Sequence, residues 1–396
     1  MTRVWTRWTS VALLGLSLVL GACGASPAAS PTTAPAEPTT AAAPTTAAEP
    51  TTAATSEATA ATEPTAATAA TEPAAGGEEF IVGMVLVGPT NDGGWNQAHY
   101  DAAKYVESKL PGTKFIYVDK VNPADKPNVT VQQVIDELIS QGAKFVITNS
   151  AEFADGTDEA ATAHPDVYFL HASGDKVLTG EAPANVTNLM GRMEYGKMIA
   201  GCAAALQTET GKISYLGPLV DAETRRLVNS TFLGARYCWE TYRSKPASEL
   251  GFKVTWIGFW FNIPGVTLDP TKVANDFINE GSDVILSGID TTEALVEANK
   301  ATQAGKKIYA VPYDFKDACA QGPQVCLGVP YFNWGPDYVR IIGAARQGEF
   351  KSAWEWVAPD WSDLNNPDTS MIGFEKGSAL SADNQAKLDE FIKGMA

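Results

Sequence analysis

Histidine is nearly absent from this chain: only His99, His164 and His171 occur in 396 residues, and they have no metal-ligand spacing. No nucleophile elbow, zinc-protease helix or calcium loop appears either, so catalysis has no candidate residue and no cofactor or metal is implied. Basic residues are also few, 29 against 46 acidic for a net charge of −17, which argues against nucleic acid as a partner. Long apolar runs are lacking. The longest, 11–20, is too short to cross a hydrocarbon core of about 30 Å. From Gly24 to Gly77 there is no aromatic, branched aliphatic or basic residue, only Gly, Ala, Ser, Pro, Thr and five Glu, so this stretch has nothing to bury and reads as an extended, solvated linker.

What is present before the linker reads as an export signal. Arg3 and Arg7 precede the apolar run, and the small residues Gly21 and Ala22 stand directly before Cys23. Leu20-Gly21-Ala22-Cys23 resembles the bacterial lipobox, in which the cysteine thiol takes a diacylglycerol after cleavage. The expectation is a signal peptide at 1–22, then a lipidated Cys23 and linker at 23–77, with the lipid as the only hold on the extracytoplasmic face of a cell membrane. Beyond the linker, Cys202, Cys238, Cys319 and Cys326 form an even set in a compartment that permits oxidation. Proximity favours Cys319 with Cys326 and Cys202 with Cys238, among three possible pairings.

From residue 80 onward, runs that are apolar throughout alternate with amphipathic stretches. Strands are predicted at 80–87, 115–118, 144–149 and 167–171, separated by helices, and the rhythm restarts after Glu194 with strands at 212–216, 252–257, 284–287 and 307–311. Continuous apolar strands separated by helices mean parallel sheets covered on both faces. The fold class is therefore α/β, with two doubly wound parallel-sheet lobes joined by a hinge. A further strand at 325–329 and a helix from Gly335 suggest that the chain returns to the first lobe. The expected bounds are 78–190 plus about 313–352 for the first lobe, and 191–312 plus about 353–396 for the second.

Ligands of such sheets sit beyond the carboxyl ends of the strands. The loops there are rich in rings and amides: Asp92-Gly93-Gly94-Trp95-Asn96, Asn149-Ser150, Trp260-Phe261-Asn262, Asp290, Tyr313-Asp314 and Tyr331-Phe332-Asn333-Trp334. Flat rings with neutral hydrogen-bonding groups suit a flat polar ligand. The run from Gly191 to Lys197 matches a phosphate loop, but Met198 stands where a hydroxyl should ligate magnesium and no strand is predicted directly before it, so it reads as a plain helix start.

Val82-Gly83-Met84 leading to Asp92-Gly93-Gly94-Trp95-Asn96, together with Gly191-Arg192-Met193-Glu194-Tyr195-Gly196, Thr231-Phe232-Leu233-Gly234-Ala235-Arg236 and Asn333-Trp334-Gly335-Pro336, resembles the basic membrane lipoprotein family. These are the purine nucleoside receptor type of ABC-transporter substrate-binding protein, and the likeness covers about residues 80–395. It implies a type I periplasmic-binding fold in which an aromatic ring from each lobe sandwiches a purine. Trp95 and Trp260 fit the sandwich, and Asn96 and Asp314 match the family's base-contacting asparagine and its acid after the last strand of the second lobe. Asn149, Asn333 and Trp334 complete the candidate set. The Asp-Gly-Gly-Trp form resembles the branch carrying a free base such as adenine. The implied partners are a small purine-type ligand and an ABC permease with a cytoplasmic ATPase, and the implied state is a monomer. A sugar receptor of the same fold and a surface sensor are the competing readings.

Overall fold

A computed structural model describes residues 79–396. The signal peptide, Cys23 and the linker expected from the sequence lie outside the described residues.

The strands are β1 (Phe80–Val85), β2 (Thr113–Val118), β3 (Ala143–Thr148), β4 (Tyr168–Ala172), β5 (Val186–Gly191), β6 (Lys212–Gly217), β7 (Gly251–Trp256), β8 (Val284–Ser287), β9 (Tyr309–Val311), β10 (Gly328–Phe332), β11 (Trp354–Val357) and β12 (Ile372–Lys376). Six of them form a sheet of order β11-β5-β4-β3-β1-β2 and four a sheet of order β7-β6-β8-β9. Every pairing within these two sheets is parallel. The ladders are parallel because helices between successive strands return the chain to the same end of each sheet. β3, β5 and β8 are buried almost throughout, as strands must be when helices cover both faces.

The two sheets share one winding. In each, the second strand lies on one side of the first and the third and fourth on the other, so β1 and β6 mark equivalent reversal points. Crevices open beyond the strand ends at such points. The fold is thus a type I periplasmic-binding fold of two lobes.

Two details differ from the sequence expectation. β11 extends the first sheet, pairing Trp354 to Val357 with Asn188 to Gly191, although everything after 352 was expected in the second lobe. The strand sought at 325–329 begins at Gly328 and joins neither sheet. It pairs antiparallel with β12 as a ribbon through which the chain passes between lobes. The final helix, Ala382–Met395, then packs Leu388 and Phe391 into the core of the second lobe. Within that core, Cys202 is bonded to Cys238 across the helices Met193–Gln207 and Ala222–Thr241, with Cα atoms 5.2 Å apart. Cys319 is bonded to Cys326 across a loop, at 5.5 Å.

Candidate ligand cleft

A cleft is lined by residues that follow the strands of both sheets, among them Val87, Asn149, Ser173, Pro218, Gly288 and Asp314. Each belongs to a loop at a carboxyl end, so the topology brings the two sets face to face.

On the first-lobe wall the local sequence builds a rigid frame. Asp92 precedes the helix Trp95–Lys109 and satisfies its first free N–H groups. One carboxylate oxygen accepts from the amides of Gly94 (2.9 Å) and Gln97 (3.0 Å), the other from the Asn96 amide (3.0 Å) and its side-chain nitrogen (2.8 Å). These are the orphan donors of a helix start. Asn96 Oδ1 accepts from the Gly88 amide (3.0 Å) and from Asn149 Nδ2 (2.9 Å), and Asn149 Oδ1 accepts from the Val87 amide (3.0 Å). Asn96 and Asn149 therefore staple the loops after β1 and β3 together, and their amides have internal partners.

Trp95 stands on this frame. It is 7% exposed, and its indole N–H donates to the Asn149 carbonyl at 2.6 Å. Behind it, Phe332, Trp334 and His99 stack in a column with ring centroids 4.7 and 4.4 Å apart. Trp95 lies nearly perpendicular to all three, its centroid 5.3, 5.3 and 4.6 Å away. Edge-to-face contacts of this kind fix ring orientation as well as burying area. His99 is wholly buried, accepts or donates only at Tyr338 (2.6 Å), and burial alone holds its pKa well below the ordinary value.

The second-lobe wall is built differently. Asp314 follows β9 in a left-handed conformation (φ 71°) and is fully buried, yet neither of its carboxylate oxygens has a hydrogen-bond partner. Burial pushes its pKa well above the usual carboxylate range, against the opposing pull of Lys197. Lys197, 1% exposed, donates to the Ser287 carbonyl at 2.8 Å and lies 3.1 Å from the Tyr313 ring centroid. Its pKa falls to about 7 because burial outweighs the attraction of Asp314. Asp290 is raised by burial and by the charge of Asp314, and Glu223 is raised by burial to about 7. Buried polar groups without partners are costly, so a wall of this kind offers strong hydrogen-bonding capacity to whatever enters. Trp260, half-buried, completes the lining from the loop after β7.

Of the residues singled out in the sequence, Trp95, Asn149, Trp260 and Asp314 line the cleft, whereas Asn96, Asn333 and Trp334 do not. Asn96 lies behind the wall with its amide engaged. Asn333 donates to the carbonyls of Pro367 and Ser370, anchoring the loop before β12, and Trp334 is 0% exposed in the aromatic column. Sequence reasoning missed Glu223 and Tyr215, which line the cleft, and Lys197, which lies against Tyr313. The signal for Lys197 was a charge set directly before the small and apolar run Met198-Ile199-Ala200-Gly201-Cys202, which has no solvated helix face to accommodate it.

With this geometry in view, comparison with known proteins is specific. Residues 80–358 match the family model described as ABC transporter substrate-binding protein, PnrA-like. A purine-binding protein of Brucella abortus is 29% identical over 283 residues, covering 70% of this chain and 72% of that one. A protein of Haloferax volcanii, named for glucose binding in an ABC transporter, is 29% identical over 280 residues, covering 71% and 64%. Among solved structures, an ABC transporter solute-binding protein from Aeropyrum pernix superposes with a TM-score of 0.63 at 13% identity, over 80% of this chain and 91% of that one. One from Conexibacter woesei gives 0.57 at 18%, over 80% and 96%. These two share the fold.

Proposed function

The chain belongs to the PnrA-like family of ABC transporter substrate-binding proteins, and from that premise we propose that it captures a purine base or nucleoside, adenine-like in its hydrogen-bonding pattern, for delivery to its permease and ATPase. The observation that carries the reading is the pairing of Trp95 and Trp260 on opposite walls of one cleft, with the unpartnered carboxylate of Asp314 between the lobes. Two rings facing a flat heterocycle contribute about 0.5–1.5 kcal/mol each beyond their burial. Asp314 and Asp290 supply acceptors, so the ligand they favour is one rich in N–H or O–H donors, as the amine and ring N–H of adenine or the hydroxyls of a ribose are. The purine-binding name of the Brucella relative supports the same class.

A sugar is the competing ligand, supported by the name of the Haloferax relative and by the same carboxylates. Denaturing the purified protein and identifying any released molecule by mass spectrometry separates the two. Adenine, adenosine, guanosine and inosine should quench tryptophan fluorescence and raise the melting temperature of stripped protein, with glucose and ribose inert. Failure of all four purines with a response to a sugar overturns the purine reading.

We further propose that the protein is held to the membrane through Cys23. Metabolic labelling with a radioactive fatty acid should mark the wild-type chain and be lost in Cys23→Ser.

A further inference from the structure

We propose that Glu152 is a positioning residue for capture: it reaches across the cleft from the first lobe and holds the Trp260 ring in place, making the loop 258–262 a clasp that must be undone before ligand leaves. This rests on the cleft being the ligand site.

Glu152 follows β3 of the first sheet and Trp260 follows β7 of the second. The Trp260 indole N–H donates to both carboxylate oxygens of Glu152, at 2.8 Å each. An N–H donated to a carboxylate is stronger than a neutral pair. The carboxylate is itself steered, since the Ser150 hydroxyl donates to Oε2. Ser150 and Ala151 line the cleft beside Trp260, so the bond spans the mouth of the cavity.

The residues flanking Trp260 point to the same role. Phe259 and Phe261, edge-to-face with centroids 5.1 Å apart, pack against the hydrophobic cluster centred on the first sheet. Three consecutive aromatic residues of a second-lobe loop thus engage features assembled around the first lobe. Gly258, at φ 105° with open space around it, allows the chain to turn into this loop. At its other end the Asp290 amide donates to the Trp260 carbonyl (2.9 Å), keeping the backbone with the second lobe while the ring is held by the first. Lobe opening must therefore break the Glu152 bond and free the ring.

The test uses the full chain and two readouts. In the ligand-free protein, the Trp260 indole N–H resonance is identified as the signal lost in Trp260→Phe, and its exchange with water is measured. Glu152→Ala should speed that exchange roughly tenfold, with Glu152→Gln, which keeps an acceptor oxygen, in between. With adenine as the probe, Glu152→Ala should raise the dissociation rate roughly five- to twentyfold with the association rate nearly unchanged, and the effect should vanish in a Trp260→Phe background. Exchange within twofold of wild type in Glu152→Ala overturns the proposal, as does a dissociation effect that persists without the indole N–H. If wild-type protein does not bind adenine, the ligand assignment fails and the exchange measurement alone decides the clasp.

Discussion

The two walls of the cleft solve opposite problems. In the first lobe, Asp92, Asn96 and Asn149 meet one another and the backbone, so their polar atoms serve the frame and Trp95 is what the wall presents. In the second lobe, Asp314 is buried with both oxygens unpartnered and Lys197 faces an aromatic ring. A satisfied network rigidifies, whereas an unsatisfied one stores binding capacity at the expense of stability. Substitutions in the first wall should therefore act mainly on folding, and those in the second mainly on affinity.

The sharpest way to break this comparison is to keep the walls apart. A Cβ at Gly94 would lie 1.8 Å from the carbonyl oxygen of Asp290, on the opposite lobe. Open lobes relieve that clash, so Gly94→Ala should lose more than about a hundredfold in ligand affinity while its melting temperature stays near wild type. Calorimetric titration and thermal melts check both halves. Gly201 is the control: its Cβ would meet the Thr231 carbonyl at 1.9 Å inside the second lobe, where no opening helps, so Gly201→Ala should destabilise by about 1–3 kcal/mol or more.

Next in size is Asp314→Asn, which replaces a buried carboxyl group whose oxygens have no partner. Ligand affinity should fall roughly ten- to a hundredfold, corresponding to about 1–3 kcal/mol for a lost hydrogen-bonding partner of the ligand, while the ligand-free protein melts higher. A variant that lost both affinity and stability would show that Asp314 belongs to the frame. Asn96→Ala makes the reverse test. Leaving the Gly88 amide and Asn149 Nδ2 without acceptors should cost about 1–3 kcal/mol in denaturant melts, with a smaller change in the affinity of the folded fraction.

This contrast also explains what the sequence could disclose. Strands buried on both faces leave a continuous apolar run, which is why β1, β3, β6 and β8 were legible. β5 and β11 were not, since Thr187, Asn188 and Glu355 interrupt their pattern, and the strand that pairs with β11 is remote in the chain. Trp95 and Trp260 were found because position after a strand implies a cleft. Asn96 misled because a motif names a side chain without saying whether its hydrogen bonds are already made. Lys197 stayed hidden because its significance is the carboxylate of Asp314, 117 positions away in the sequence.

The smallest expected effect is in the pH dependence, where the buried histidines and Glu223 should differ in sign. His99 and His171, both in the first lobe, have pKa values held below the ordinary one by burial. The unfolded chain takes up protons near pH 6.5 and the folded chain only lower, so their contribution is present above 6.5 and lost as pH falls. Glu223 runs the other way. Its folded pKa is about 7 against an ordinary 4.5, with burial raising it, Arg226 lowering it and Asp221 raising it. Its contribution is therefore complete below 4.5 and lost as pH rises through 7. Between pH 7.5 and 5.5 the two trends oppose in the wild type. Glu223→Gln removes the stabilising one, so the variant should lose more stability than wild type on acidification across that window. The difference should stay under about 1 kcal/mol per pH unit, because Glu223 is partly exposed. Melting temperatures of both proteins at the two pH values measure it, and parallel losses would mean that Glu223 does not titrate as the cleft geometry requires.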